Sequence, residues 1–398
     1  MLFFIQSSGK YMRHKIYVSR IIPILIITVS LILSGSTLYA WGFFNLFRDT
    51  GHNSENEQAI SLFNTERDIL YLPAGKDKDI FEASADMSIC RMEPVRKHIY
   101  LYLTSKREYL IRGIERSYLY EDMTHEIFNN NRDLPEELRL LPLLESCFNP
   151  LAVSSSRAVG LWQFVDNTAR PLGLDRNRWI DERRSIVKST EAALRHFRNI
   201  RGSFPDWALT LAAYNGGAGY VKRAMDKNNC SDFWKLREGR FLREETSEYV
   251  PKFIALMVLY KNQRLFGIAR DVTVPEKPET GYLTLRQPVD LRAVARLSGI
   301  SVEKIKELNP ELISTITPLD SRNYQLRVPA EAKKIIEEKS RELYKNKITG
   351  IIKHRIKRGE TISKIARLYK KNSTAIIRFN SIKNDKLLMI GQIIYVPY

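Results

Sequence analysis

The chain is poor in cysteine, with only Cys90, Cys147 and Cys230. These three form no metal-ligand spacing, and their odd number leaves at least one thiol free. A bridge between Cys90 and Cys230 stays open in an oxidising compartment. Cys147 reads as a small buried residue. Proline and glycine are modest, at 16 and 19 of 398 residues, which excludes a collagen-like or low-complexity chain. Alternating β-branched runs are scarce before residue 270, so the middle of the chain is read as mainly helical. Acidic charge is also short. Against 63 Lys and Arg stand 45 Asp and Glu, leaving a net +18. A field of that sign favours a polyanion, whether nucleic acid, membrane surface or anionic wall polymer.

The N-terminus narrows that choice. Lys10, Arg13, His14, Lys15 and Arg20 precede the apolar run IIPILIITVSLIL, and LYA closes a stretch of small residues at 38–40. Residues 1–40 read as a secretory signal peptide or, because apolar character continues through WGFF, as a retained membrane anchor. Either leads to export, to the periplasm or cell envelope, and sets nucleic acid aside. No cysteine follows the apolar run to carry a lipid. Residues 41–84 read as a linker, with RDTGHNSENEQ its most polar part.

Helical spacing begins at 85–130, with Val95, Ile99, Tyr102 and Leu103 and then Leu110, Ile114 and Tyr118. DLPEELRLLPLLES predicts a new helix capped by Asp133, with Leu138, Leu141, Leu144 and Phe148 on one face and Glu145 near that face. STEAALRHFRNI predicts a helix capped by Ser189. FPDWALTLAAYNGG predicts one capped by Asp206 and stopped at Asn215-Gly216-Gly217. EETSEYVPKFIALMVLYKNQ predicts another. The tail then repeats itself. Residues 289–309 align without a gap to 360–380, matching Ala295, Arg296, Leu297, Ile305 and Asn309 with Ala366, Arg367, Leu368, Ile376 and Asn380. Each copy ends in a strand-like segment, YQLRVP or QIIYVP, so each is read as a strand–helix–helix–strand module. Residues 331–350 between the modules read as a helical spacer. Residues 351–398 hold eleven Lys and Arg against Glu360 and Asp385, so half of the excess positive charge lies in the last module.

Glu145 follows an apolar run and precedes Ser154, Trp162 and Gln163. A carboxyl half-buried beside Phe148 and Trp162 has its charged form disfavoured, which suits a general acid. Ser and Gln are neutral groups able to orient a sugar, and an aromatic can wall a pyranose face. The competing reading is a helix-end Glu bound to solvent or to an Arg. Likewise Trp162, Trp207 and Phe253 fit a core, Glu245 fits a helix start, and Tyr249 fits simple packing.

ESCFNPLAVSSSRAVGLWQF, LTLAAYNGGAGYVKRAM and EETSEYVPKF resemble, in order and spacing, the three motifs of the lysozyme-like lytic transglycosylases. NRWIDERRSIVKSTEAALRHF is similar to the D-type branch of the membrane-bound murein enzymes. The terminal copy resembles a LysM module, and residues 281–330 look like a diverged one. The resemblance implies a lysozyme-like helical catalytic domain at 131–267, a mainly α fold, followed by two small α+β (βααβ) LysM-like modules, the second at 351–398. It implies that Glu145 is the catalytic acid and base. Ser154, Gln163, Tyr214, Asn215, Glu245 and Tyr249 then contact substrate, and no cofactor or metal is needed. Glycosidases commonly pair two carboxylates. These motifs offer one, since Asp166 and Asp175 lie in polar, turn-like stretches. A single carboxylate suits cleavage of the N-acetylmuramic acid–N-acetylglucosamine bond in peptidoglycan by the sugar's own C6 hydroxyl, leaving a 1,6-anhydro end. A hydrolytic muramidase and a non-catalytic wall-binding protein are the alternatives. In the LysM-like end, the resemblance points to Gly359, Thr361, Ile362, Asn380 and Ile382 as glycan contacts, although Thr361 equally fits a helix cap and Ile362 a core position. The sequence departs from the branch in lacking a lipid-attached Cys and in placing Cys147 where a small residue is usual.

Overall fold

A computed structural model describes residues 80–81, 88–319, 323–345, 351–380, 382 and 388–397. The segment read as a signal or anchor and the segment read as a linker lie outside the described residues, apart from Ile80 and Phe81. In chain order the main helices are α1 (Glu93–Leu103), α2 (Arg107–Asn129), α3 (Leu141–Ser146), α4 (Ile186–Arg201), α5 (Trp207–Gly216), α6 (Ala218–Asn228), α7 (Phe233–Glu238) and α8 (Glu244–Lys261), with a single turn at Asp166–Ala169 between α3 and α4. Strand β1 (Thr280–Leu285), helices α9 (Leu291–Ser298) and α10 (Val302–Leu308), strand β2 (Tyr324–Pro329) and helices α11 (Ala330–Glu338) and α12 (Ser340–Leu343) follow. The chain closes with β3 (Ile351–Arg355), α13 (Ile362–Leu368), α14 (Ser373–Phe379) and β4 (Ile393–Pro397). The fold is thus mainly helical, as the spacing predicts, with strands confined to the tail among the described residues.

Two compact units share the chain. One joins the segment up to Arg107 with Arg243–Asp271. In it α1 packs on α8, burying Val95, Ile99, Tyr102 and Leu103 of α1. Helix α8 is buried on nearly every side, including Phe253, Leu256, Met257 and Tyr260. A helix so enclosed belongs to an interior rather than to an amphipathic face. Buried His98 of α1 meets Glu248 of α8 at 2.7 Å. Arg107 closes the unit by pairing with Asp271 at 2.7 Å and donating to the Gly267 carbonyl.

The other unit holds Glu108–Leu242 and everything from Val272 onward. Two expected caps are corrected here. Asp133 caps no helix. Its carboxylate is bound by the Arg198 guanidinium, and the expected single helix is a 3-10 helix (Glu136–Leu140) followed by α3. Pro142 explains the break, because it lacks the N–H that a continuous α-helix would direct back to Leu138. Ser189 does not cap α4 either. Helix α4 starts four residues earlier, where Ser185 accepts the Lys188 N–H, and Ser189 is fully buried. Asp206 caps α5 by accepting the Leu209 N–H at 2.7 Å, and Gly217 ends it at φ +91°, as expected.

The tail repeat is real in space. Antiparallel β1–β2 and β3–β4 pairs each carry two helices. Aligned residues do matching jobs. Asp290 and Thr361 cap α9 and α13. Leu291, Val294 and Ile305 of one core match Ile362, Ile365 and Ile376 of the other. Asn309 accepts the Arg327 N–H and donates to the Ile305 and Arg327 carbonyls. Asn380 makes the same three bonds with Tyr395 and Ile376. The helices expected as a spacer pack into the first module, burying Ala332, Ile336 and Leu343.

One loop of the helical region reaches both modules. Ile180 bridges Leu312 and joins the first module's core. Trp179 accepts the Ile313 N–H, and Asp181 donates its N–H to Glu311. The Arg178 guanidinium lies 3.8 Å over the Phe379 ring and donates to the Phe379 carbonyl at 2.7 Å. Trp179 meets Tyr395 edge-on at 4.4 Å.

Candidate active site

Glu145 occupies the last turn of α3 and is half-buried. That helix ends abruptly. Cys147 and Phe148 both take left-handed backbone, at φ 54° and 51°, and both N–H groups return to the Pro142 carbonyl. Such conformations cost about 1–3 kcal/mol each for residues other than glycine. Surrounding bonds hold them. Tyr109 donates its hydroxyl to the Leu143 carbonyl at 2.9 Å, Ser146 donates to Leu161, and Arg116 donates to Cys147. Cys147 is a buried free thiol that donates to the Tyr109 carbonyl, and burial pushes its pKa up.

The 153–164 segment folds as a tight three-limbed loop, with bridges Val153–Val159 and Val159–Phe164. Ser154 holds its first turn, accepting the Ala158 N–H at 3.0 Å and lying 2.8 Å from the Ser156 hydroxyl. Gln163 stands at φ 48° and donates its amide to the Gly160 carbonyl at 2.8 Å. Gly160 itself, at φ 86°, packs directly on the Arg183 backbone. Arg183 is the strut beneath. It is ion-paired with buried Asp181 at 2.7 Å and with Asp166 at 3.1 Å, and donates to the Arg157 and Phe164 carbonyls.

Tyr214 joins this loop to Glu145. Its hydroxyl donates to the Trp162 carbonyl at 2.8 Å, and its ring stacks on Phe197 with centroids 4.9 Å apart. Burial pushes its pKa well above the usual phenol value, and the nearby Glu145 carboxylate pushes it further. The phenol is therefore a fixed neutral donor beside the acid. Asn215 follows in the last turn of α5, half-buried. Trp162, Trp207 and Phe253 are core, at 1%, 8% and 0% exposure, and Trp162 donates its indole N–H to Thr190. Glu245 and Tyr249 lie on α8 of the other unit, the first exposed and the second buried. In the terminal module, Thr361 accepts the Lys364 N–H, Ile362 is 1% exposed, and Asn380 is the strand clamp described above. Gly359 is exposed at φ 77°, and Ile382 packs partly on the core.

Sequence reasoning missed Tyr109 and the Arg183–Asp181 strut. Tyr109 acts on α3 from 34 residues upstream, a distance no local pattern spans. The strut was visible only as charge in IDERR.

Comparison with known proteins agrees with this layout. Residues 122–237 match the transglycosylase SLT domain, residues 279–345 the LysM-like domain of lytic transglycosylase MltD, and residues 354–397 the LysM domain. Membrane-bound lytic murein transglycosylase D from Escherichia coli K12 is 34% identical over 270 residues, covering 64% of this chain and 59% of that protein. Its counterpart in Escherichia coli O6:H1 strain CFT073 matches to the same degree. The chain thus spans about three fifths of the length of these curated relatives.

Proposed function

We propose that this chain, an SLT domain followed by two LysM-type modules, is a peptidoglycan lytic transglycosylase of the cell envelope. The observation that carries the reading is Glu145, half-buried and held beside the neutral Tyr214 donor, with the Ser154–Gln163 loop next to it. A carboxyl in that position can protonate the glycosidic oxygen between N-acetylmuramic acid and N-acetylglucosamine. The substrate's N-acetyl oxygen then supports the cationic anomeric carbon. Glu145, now ionised, takes the proton of the C6 hydroxyl as that oxygen closes on the anomeric carbon. The product is a 1,6-anhydro end, and no water is consumed.

A hydrolase of the two-carboxylate kind would need a second carboxylate to activate water. The next acids along the chain do not offer one. Asp166 is bound by Arg176 and Arg183, and Asp175 is exposed on the turn beyond. Ser154, Gln163, Tyr214 and Asn215 line the substrate site in this reading, and for Glu245 and Tyr249 the motif resemblance is the support. The LysM-type modules hold the enzyme on glycan and raise the local strand concentration. Gly359 and Ile382 serve as contact points, while Thr361, Ile362 and Asn380 shape the loops that present them. The basic segment at the N-terminus would deliver the chain to the envelope. Among the described residues, no helix is long and apolar enough to cross a membrane.

Mass analysis of sacculus digests tests the reading. The wild type should release 1,6-anhydro muropeptides, and Glu145→Gln, which keeps shape but removes the acid, should release none. Reducing ends would identify a muramidase, and equal release by both proteins would make Glu145 irrelevant.

A further inference from the structure

Helix α6 carries a cationic stripe that the proposed chemistry does not use. Tyr220, Arg223 and Lys227 recur at helical spacing along one face, with Ala224 between them. Arg240 and Phe241, just beyond α7, face the same open cleft of about 630 Å³. Arg223, Lys227, Arg240 and Phe241 are all exposed, Phe241 to 46% despite being wholly apolar. No acid lines the cleft. Asp226, on the same helix, is engaged by Lys222 at 3.0 Å. Among the described residues, Arg223, Lys227 and Arg240 have no carboxylate partner. Arg240 also sits in left-handed backbone at φ 56°, a conformation that few side chains adopt without cost.

The stripe starts close to the candidate site. Gly217, which follows Tyr214, Asn215 and Gly216, immediately precedes α6, and Tyr220 donates its N–H to the Gly217 carbonyl. From Tyr220 to Lys227 the helix rises about 10 Å. An extended peptide of about three residues has the same length.

We propose that this cleft binds the acidic peptide stem borne by the muramic acid residues of the glycan. The inference rests on the transglycosylase reading and deepens it. The stem's free carboxylates meet the two arginines, whose planar guanidinium groups suit bidentate contact, and Lys227 adds a third charge. Phe241 and Tyr220 cover the stem's apolar carbons. The site thus selects strands that still carry peptide over strands from which it has been removed.

The test compares the full chain with the triple variant Arg223→Gln, Lys227→Gln, Arg240→Gln. Both are assayed on solubilised peptide-bearing glycan strands and on the same strands stripped of peptide by an amidase. The wild type should prefer peptide-bearing strands, and the variant should lose about tenfold in kcat/KM on those alone, three exposed charge contacts contributing modestly each. The preference should also shrink as salt rises. Equal losses on both substrates would assign the cleft to the sugar backbone or to another wall polyanion, and no loss on either would leave it a solvated surface. Both results overturn the proposal. Isothermal titration with the two strand types, in a Glu145→Gln background, reads binding without turnover. If the wild type cleaves neither substrate, the transglycosylase reading fails, and this arm still decides whether the cleft holds the stem. All the substituted side chains are exposed, so matching thermal midpoints are expected and verify the fold.

Discussion

Replacing Gly160 by alanine tests the support of the 153–164 loop most directly. Gly160 sits at φ 86°, and a Cβ built there would lie 1.8 Å from the Arg183 carbonyl oxygen. That oxygen is backbone, so it cannot swing aside as a side-chain tip would. Left-handed backbone alone costs an alanine about 1–2 kcal/mol. Relieving the contact by shifting the loop or the Arg183 strut adds about 1–3 kcal/mol, as overpacking does elsewhere. The sum is about 3 kcal/mol. Gly173→Ala is the matched control, because Gly173 has φ 80° and nothing within 4 Å of its added Cβ. It should lose only the backbone part, about 1 kcal/mol. The difference of about 2 kcal/mol is a factor of about 30 in the folding equilibrium. Urea unfolding followed by tryptophan fluorescence measures it, since Trp162, Trp179, Trp207 and Trp234 all lie in the same unit. Should the two variants unfold at the same urea concentration, the close packing of Gly160 on Arg183 is not what holds the loop.

Arg183→Met leaves the Asp181 carboxylate, only 4% exposed, with Arg176 at 3.8 Å as its remaining cation, and should cost about 3 kcal/mol in the same urea assay. Tyr214→Phe leaves the Trp162 carbonyl without its donor, a loss of about 1–3 kcal/mol seen as a fall of several degrees in the thermal midpoint, accompanied by reduced anhydro-product release. Asn309→Ala and Asn380→Ala should each weaken its own module by a similar amount, readable by hydrogen exchange at β2 or at β4 respectively. In the last module, the Lys357 N–H and then His354 hold the Glu360 carboxyl below its ordinary pKa. Because its folded value is depressed, its support is present above the unfolded value, about 4.3, and fades as pH falls through the folded one. Glu360→Gln should therefore flatten the acid limb of that module's thermal midpoint against pH.

Much of this architecture is legible in the sequence, and the misses share a cause. The tail repeat was legible because the 71-residue offset preserves residue character position by position, and Asp290 and Thr361, never matched by identity, prove to be equivalent caps. The helix ends at Asp206 and Gly217 followed from local chemistry that acts within one turn. Asp133 and Ser189 failed as caps because better local solutions lay nearby: Pro142 splits the first helix, and Ser185 starts the second four residues sooner. Glu145 could be singled out from its apolar lead-in. Its setting is legible only in part: Tyr214 comes from the motif resemblance, whereas Tyr109 and Arg183 lie in remote parts of the chain and reach the neighbouring backbone only by folding.

The loop that carries Arg178, Trp179 and Ile180 makes any dissection of this protein costly. A polypeptide ended before β1 would expose the Ile180 side chain to water and deprive the Asp181 amide and the Trp179 carbonyl of their partners. The helical region would then present a greasy, unpaired edge of the kind that promotes sticking between copies. The loop and the two modules are distant in sequence, yet physically they finish one another, and shortened versions would need that loop redesigned before they could stand alone.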